Sequence, residues 1–249
     1  MPCPAARMLI AMIASVTLLA DASGQEQDDQ TPKGVNPKDN ITKIDLIYSR
    51  EAFEGDVRIH SLSFRFDRAL DARWGANIEL PLLRFEAPGL TESGMGDAQF
   101  RLRYVNSQGL LAYIAAAELI APTVGDDVLG SGKWQVNPVV GAVLALSQTA
   151  FVYAGYKHIW SIAGDNDRPD IDQSQPRLLA AITSHKGWWV LGDLKYTRDH
   201  EARTNLLDME AEAGTMLSPS MAIAARVGTS ALDSTRDSKL SVNFRYIFR

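Results

Sequence analysis

The 249-residue chain has a single cysteine, Cys3, and it lies in the extreme N-terminal segment. A processed chain would carry no thiol, which excludes both a disulfide framework and a thiolate metal site. No block of Lys and Arg is present either: 25 basic residues stand against 30 acidic ones, giving a net charge of −5 and a pI of about 5.4. That balance argues against a nucleic-acid groove, whose phosphate contacts need clustered positive charge. Helical spacing is not sustained anywhere after Ile41. The one extended apolar stretch of the leader, Met8 to Ala20, is shorter than the roughly 20 residues a spanning helix requires. With 46% hydrophobic and 22% charged residues and a mean hydropathy of −0.11, the chain is neither a disordered tail nor a helical membrane protein.

Residues 1–24 read as a secretory signal peptide: Arg7 supplies the positive end, Met8 to Ala20 the apolar centre, and small residues follow through Ala22 and Gly24. Cys3 precedes the apolar centre, so a lipidated N-terminus is not expected. Residues 25–40 contain two prolines and only one apolar side chain, Val35, and are expected to form a flexible periplasmic arm. The folded domain, 41–249, is expected to be all-β.

The ground for that expectation is period-two alternation. Trp74, Ala76, Ile78, Leu80 and Leu82 oppose Arg73, Gly75, Asn77 and Glu79; Ala98, Phe100, Leu102 and Tyr104 oppose Asp97, Gln99, Arg101 and Arg103. Trp134, Val136, Pro138 and Val140 oppose Lys133, Gln135 and Asn137, and Leu240, Val242, Phe244, Tyr246 and Phe248 oppose Lys239, Ser241, Asn243 and Arg245. Twelve such segments follow, at about 42–50, 56–66, 72–83, 97–106, 110–121, 133–146, 150–162, 176–184, 188–197, 204–215, 220–228 and 238–248. Their connections alternate between brief and mostly longer, the longer ones at Arg84–Gly96, Pro122–Gly132, Ala163–Gln175, Asp199–Arg203 and Thr229–Asp237. An even number of strands with one tight and one loop-bearing rim predicts an antiparallel up-and-down transmembrane β-barrel of about twelve strands.

A soluble barrel shows the same alternation turned inside out. Aromatics on the apolar face gather at segment ends (Tyr48, Trp74, Tyr104, Trp134, Trp160, Trp188, Tyr196, Phe248), as lipid–water boundaries favour. The other face mixes signs. Glu79 is expected near Arg101 and Arg103, and Asp208, Glu210 and Glu212 near Lys195 and Arg226, as cross-strand partners in a wet lumen. The residues expected to line that lumen and set selectivity are Glu79, Arg101, Arg103, Lys133, Gln135, Asn137, Lys195, Glu210, Arg226 and Arg245. A barrel of this size falls between those filled by side chains and those with open channels, so both outcomes stand.

Three stretches resemble a known family, the outer-membrane barrels grouped as transporters of the meta-pathway of phenol degradation. They are Gly94-Met95-Gly96-Asp97 leading into a strand that ends Arg103-Tyr104, the run from Leu129 to Pro138, and the loop from Gly164 to Gln173. The resemblance covers about residues 75–249 and implies a barrel in the cell outer membrane that passes small, hydrophobic or aromatic solutes. One departure is the ending, where Arg249 follows the terminal aromatic Phe248. The expected partners are outer-membrane lipid and lipopolysaccharide, the barrel-assembly machinery and a small solute, with a monomeric barrel, no cofactor and no nucleic acid.

Two other chemistries have candidate residues in the sequence. Asp165, Asp167, Asp170 and Asp172 form an acidic loop that could hold a divalent cation, although the spacing lacks the glycine and terminal Glu of an EF-hand and a solvated loop is the plainer reading. Among the histidines, His60 sits where the alternation slips, which predicts a bulge, and His158, His185 and His200 have no Ser and carboxylate in an evident local arrangement. No catalytic residue is assigned. The rival functions are a closed adhesive barrel that binds a partner through its loops and a lipid-modifying enzyme.

Overall fold

The computed structural model describes residues 32–124 and 128–248. The signal-peptide reading, the first part of the arm and the terminal Arg249 lie outside the described residues. The strands are β1 (Lys43–Phe53), β2 (Val57–Ala69), β3 (Trp74–Ala87), β4 (Leu90–Met95), β5 (Ala98–Gln108), β6 (Leu111–Ala121), β7 (Lys133–Ala145), β8 (Ala150–Gly164), β9 (Asp172–Thr183), β10 (Trp188–Asp199), β11 (Asn205–Ser218), β12 (Met221–Leu232) and β13 (Arg236–Ile247). Apart from the step around β4, consecutive strands pair antiparallel, and β1 pairs with β13 to close the sheet. β3 pairs with β4 along Leu82–Ala87 and with β5 along Trp74–Glu79. β4 and β5 therefore share one place in the wall, and the barrel has twelve positions.

Each segment expected from alternation is a strand, but the strands run further than their apolar pattern. The stretch expected as the loop Arg84–Gly96 is mostly the β3–β4 hairpin, turning at Pro88 and Gly89, where φ is +80°. β8 and β9 likewise absorb both ends of the stretch 163–175. The wall satisfies backbone groups by pairing, and polar side chains continue the strands beyond the apolar belt. The predicted bulge at His60 is absent: β1 and β2 pair without a break from Lys43↔Asp67 to Phe53↔Val57. His60 keeps phase with Leu62, Phe64 and Phe66 and bonds to Tyr48 Oη at 2.9 Å.

The outer surface settles which way the alternation faces. Leu46, Leu62, Phe64, Leu82, Phe100, Leu102, Val140, Leu178, Leu194, Leu240, Val242 and Phe244 are all exposed, whereas Asp45, Glu118, Asp193 and Asp208 are buried. A soluble barrel would reverse both groups. The result is an apolar exterior wrapped around a charged interior. At the rim that carries both chain ends, Trp74 packs at a tilt against Tyr104 with ring centroids 5.0 Å apart, and Phe248 packs edge-on against Phe66 and Tyr246.

The interior is layered along the barrel axis. Near the terminal rim the inward positions are apolar: Val105, Ala112, Ile114, Val143, Phe151, Tyr153, Leu179, Ala181 and Leu191 form one cluster, and Trp189, Met216, Ala222, Ala224 and Ile247 a second. Two aromatic rings lie flat against glycine. Tyr153 covers Gly141 and Gly155, paired across β7 and β8, and Trp189 covers Gly214, its partner across β10 and β11. A Cβ at any of these three positions would collide with the ring, so the glycines admit the aromatics that fill this end of the barrel.

Candidate functional site

Above the apolar layer the inward face is ionic, and its charges are sorted by depth. The carboxylates lie against the wall: Asp45, Glu118, Asp193, Asp208 and Glu210 have side chains 0–7% exposed. Their cationic partners reach over them into the lumen, Arg101 and Arg177 being 36% and 39% exposed. Arg101 donates to Glu118 at 2.6 Å, Arg177 to Asp193 at 2.5 Å, and Lys195 pairs with Asp208 at 2.9 Å. Arg226 bridges Glu210 (2.9 Å) and Glu212 (2.7 Å), with Asp193 at 3.5 Å, and Lys239 reaches Glu210 at 3.0 Å. The long aliphatic stems let a base span outward from a strand while a short acid stays beneath it.

All ten lumen residues expected from the sequence face inward. The partners of Lys195, Glu210 and Arg226 are the expected ones. Glu79 is different: it bonds Arg65 of β2 at 2.6 Å, because register places it opposite Arg65 and Gln99 rather than Arg101 or Arg103. Asp45, Arg65, Glu118, Arg177, Asp193 and Arg236 belong to the same network and were missed. Arg65 and Arg177 follow the inward phase of their strands, which is the signal that would have found them. Lys133 pairs with Asp170 at 2.8 Å, Gln135 donates to Ser131 Oγ at 3.1 Å, and Asn137 accepts from the Trp160 backbone at 3.3 Å, so these three organise the far rim.

Arg103 and Arg245 hold the N-terminal segment. The arm is expected to bury nothing, yet its described part, 32–40, lies with residues 41 and 42 inside the terminal end of the barrel. Arg103 donates to Pro37 O (3.0 Å), Asp39 O (2.9 Å) and Asn40 Oδ1 (3.3 Å). Arg245 donates to Gly34 O at 2.8 Å while pairing with Asp45 at 2.6 Å. Asn40 Nδ2 is bonded to Asp71 O (2.6 Å) and Trp74 O (2.7 Å), in the space left by Gly75, whose Cβ would strike the Asn40 amide. Val35 packs on both apolar clusters. Within the segment Gly34 turns at φ +72° and donates to Asp39 Oδ2 at 2.9 Å. Burial pushes the Asp39 carboxyl above its ordinary range, against the pull of the Gly34 N–H, Lys38 and Arg103.

Above this segment lies a cavity of about 480 Å³. Gly34 to Pro37, Asp39, Tyr153, Leu179, Leu191 and Ala224 line its terminal side, and Ser61, Glu51 and Lys239 its other end. Eight cationic side chains and five acidic ones border it, so its surface is basic although the whole chain is acidic.

At the far rim the three stretches that carry the family resemblance meet. The chain kinks between β4 and β5 at Gly96-Asp97, and Asp97 accepts from the Ser131 N–H (2.7 Å) and Oγ (2.6 Å). Thr123 Oγ1 donates to Gly96 O and accepts from the Ala98 N–H. Gly132, at φ +67°, accepts from the Asp165 N–H. The four loop aspartates do not converge. Asp165 caps its own turn by accepting from the Asp167 N–H, Asp170 takes Lys133, and Asp172 lies 3.3 Å from His158 Nε2. Among the described residues no group of three or more His, Cys, Asp or Glu could hold a metal. The hydrogen bond from Lys133 keeps the Asp170 carboxyl below its ordinary range.

A second contact that sequence reasoning missed lies on the outer wall. Ser174 Oγ is 2.9 Å from both His200 Nε2 and Tyr156 Oη. Its strand is paired on both sides, His158↔Ser174 and Arg198↔Ser174, so the backbone N–H groups beside it are committed to the ladders. An acyl-transfer site needs free donors aimed at a developing oxyanion, and this arrangement supplies none from the sheet.

Fold and interior together define a porin-like β-barrel of the transmembrane type, with a basic cavity and an inward-folded N-terminal segment. The sequence matches no protein family and no curated protein. In fold it is similar to the COG4313 outer membrane channel from Pseudomonas putida F1, with a TM-score of 0.67 and 17% identity over 90% of this chain and 100% of that one. It is also similar to the KdgM porin (TM-score 0.61, 12% identity, 83% and 99% covered) and to the CymD monoaromatic hydrocarbon channel (0.53, 9%, 84% and 89%).

Proposed function

We propose that the chain is an outer-membrane channel through which small solutes pass passively, with its two termini on the periplasmic side and segment 32–42 closing that side. The observation that carries this reading is the inversion of the wall: large apolar side chains exposed outside, ion pairs and a cavity of about 480 Å³ inside. Only a barrel immersed in lipid gains from that arrangement. The fold shared with solved outer-membrane channels agrees with it. The meta-pathway type, and hydrophobic or aromatic solutes, are the finer form of the proposal, supported by the three rim stretches that resemble that family. A solute would enter among the loops of the far rim and cross the charged lumen. No cofactor takes part, and outer-membrane lipid, lipopolysaccharide and the assembly machinery are the partners such a monomeric barrel requires.

The test is a planar-bilayer recording of the refolded mature chain beside a variant lacking residues 25–40. Discrete current steps that grow when the segment is removed are expected. A correctly folded barrel silent in both forms would overturn the channel and favour loop-mediated binding.

A further inference from the structure

We propose that Arg103, Arg101 and Asn77 form a binding site for the carboxylate of a small organic anion with an apolar body, and that segment 37–40 occupies this site until such a solute displaces it. The inference rests on the channel reading and names the solute class that its lumen recognises.

The first ground is a cation with no directly bonded acid. Among the described residues, the Arg103 guanidinium makes no close ion pair, Asp67 and Asp39 being its nearest acidic influences; its acceptors are the Pro37 and Asp39 carbonyls and the Asn40 side-chain oxygen, at 2.9–3.3 Å. Several oxygens arrayed round one guanidinium mimic what a carboxylate offers to its forked donors. Arg is the residue suited to that geometry, since its planar fork presents paired N–H groups.

The second ground is a set of unpaired buried polar groups beside it. Asn77 is 9% exposed, and neither atom of its amide has a hydrogen-bond partner; Arg101 Nε lacks one too, as does Oδ2 of Asp67, the residue opposite Asn77 on β2, whose charge is met by Lys43 at 3.2 Å. The β3–β5 register sets Asn77 opposite Arg101 and Gly75 opposite Arg103, so the three side chains occupy neighbouring inward positions. Between them and Asn40 lies a space of about 20 Å³, room for one water-sized group rather than a solute. Buried polar groups left unpaired are costly, and a ligand that pairs them recovers that cost.

The third ground is the shape of the cavity these residues border. Arg101 and Arg103 share it with Leu179, Leu191 and Ala224 of the wall, so a ligand whose charge meets the guanidinium groups can lay an apolar body on the opposite side. A neutral solute gains only the second contact. Segment and carboxylate need the same Arg103 donors, so they exclude one another and the solute loosens the closure.

The mature chain has no cysteine, so Asn36→Cys can carry a single fluorophore on the segment. With the full mature chain in detergent micelles, acrylamide quenching reads the exposure of the label while benzoate or benzyl alcohol is added. Benzoate is expected to raise quenching along a saturable curve and benzyl alcohol to leave it flat. Asn77→Ala is expected to keep the starting quenching and weaken the benzoate midpoint by about tenfold, since the Asn77 amide makes no hydrogen bond to the segment. Asn77→Asp, which places a second carboxylate beside Arg101 in addition to Glu118, is expected to abolish the response while retaining the fold. An equal response to benzyl alcohol, or an unchanged midpoint in both variants, would overturn the site. The micelle assay requires no conduction. A benzoate response from a chain silent in bilayers would defeat the channel and leave the site, and steps in bilayers without a benzoate response would do the reverse.

Discussion

At the scale of single residues, Asn40 is the pin of the inner segment. Its amide donates to two carbonyls of the β2–β3 turn, and each such bond is worth about 1 kcal/mol. Asn40→Ala is therefore expected to shift the closure toward release by roughly 30-fold. Single-channel open probability should rise while the unfolding midpoint of the barrel stays in place. Asp39 sets the sign of a pH dependence. Its carboxyl is raised by burial when the segment is docked, so the docked state binds the proton more readily than the free one. Docking is at full strength below the ordinary carboxylate value of 3.8 and weakens as pH rises through the raised value. Openings should be rarer at about pH 4 than at pH 7, and Asp39→Asn should flatten that difference. Little of this was legible in the sequence. A stretch of prolines and polar residues buries no side-chain face of its own, and it is held here largely through backbone carbonyls, which every sequence possesses.

At the scale of strands, the twelve wall segments were legible because inward and outward sides differ in polarity, and period two records that difference directly. β4 was not, since Leu-Thr-Glu-Ser-Gly-Met carries no alternation and its pairing comes from the hairpin at Pro88-Gly89. Pairing partners were legible only in part. Alternation fixes the face of Glu79 but not its register, and a shift of register decides whether Arg65 or Arg101 lies alongside. The contacts between rings and glycines were hidden for a similar reason, because nothing in β10 alone announces Gly214 across the ladder. Gly214→Ala should push against the Trp189 ring and cost about 1–3 kcal/mol, read as a lower denaturant midpoint. Gly192→Ala is the matched control, since a Cβ there meets nothing within 4 Å.

At the scale of the whole molecule, the orientation of the barrel makes a prediction that needs no purified protein. The proposed orientation, with the termini inside the envelope, puts a cysteine at Asp233 in the β12–β13 turn outside the cell and one at Lys186 in the β9–β10 turn within. A membrane-impermeant maleimide added to intact cells should label Asp233→Cys and spare Lys186→Cys; the reverse pattern would invert the barrel. The depth sorting of charge carries one more consequence. Because Glu118, Asp193, Asp208 and Glu210 lie just behind Arg101, Arg177, Lys195 and Arg226, much of the inner surface is a dipole layer, whose field fades over a short distance. From afar an approaching anion meets the chain's net charge of −5 and is repelled. Salt should then act in opposite directions on the two halves of passage, quickening the arrival of anions by screening the distant repulsion and loosening their hold once they touch the layer.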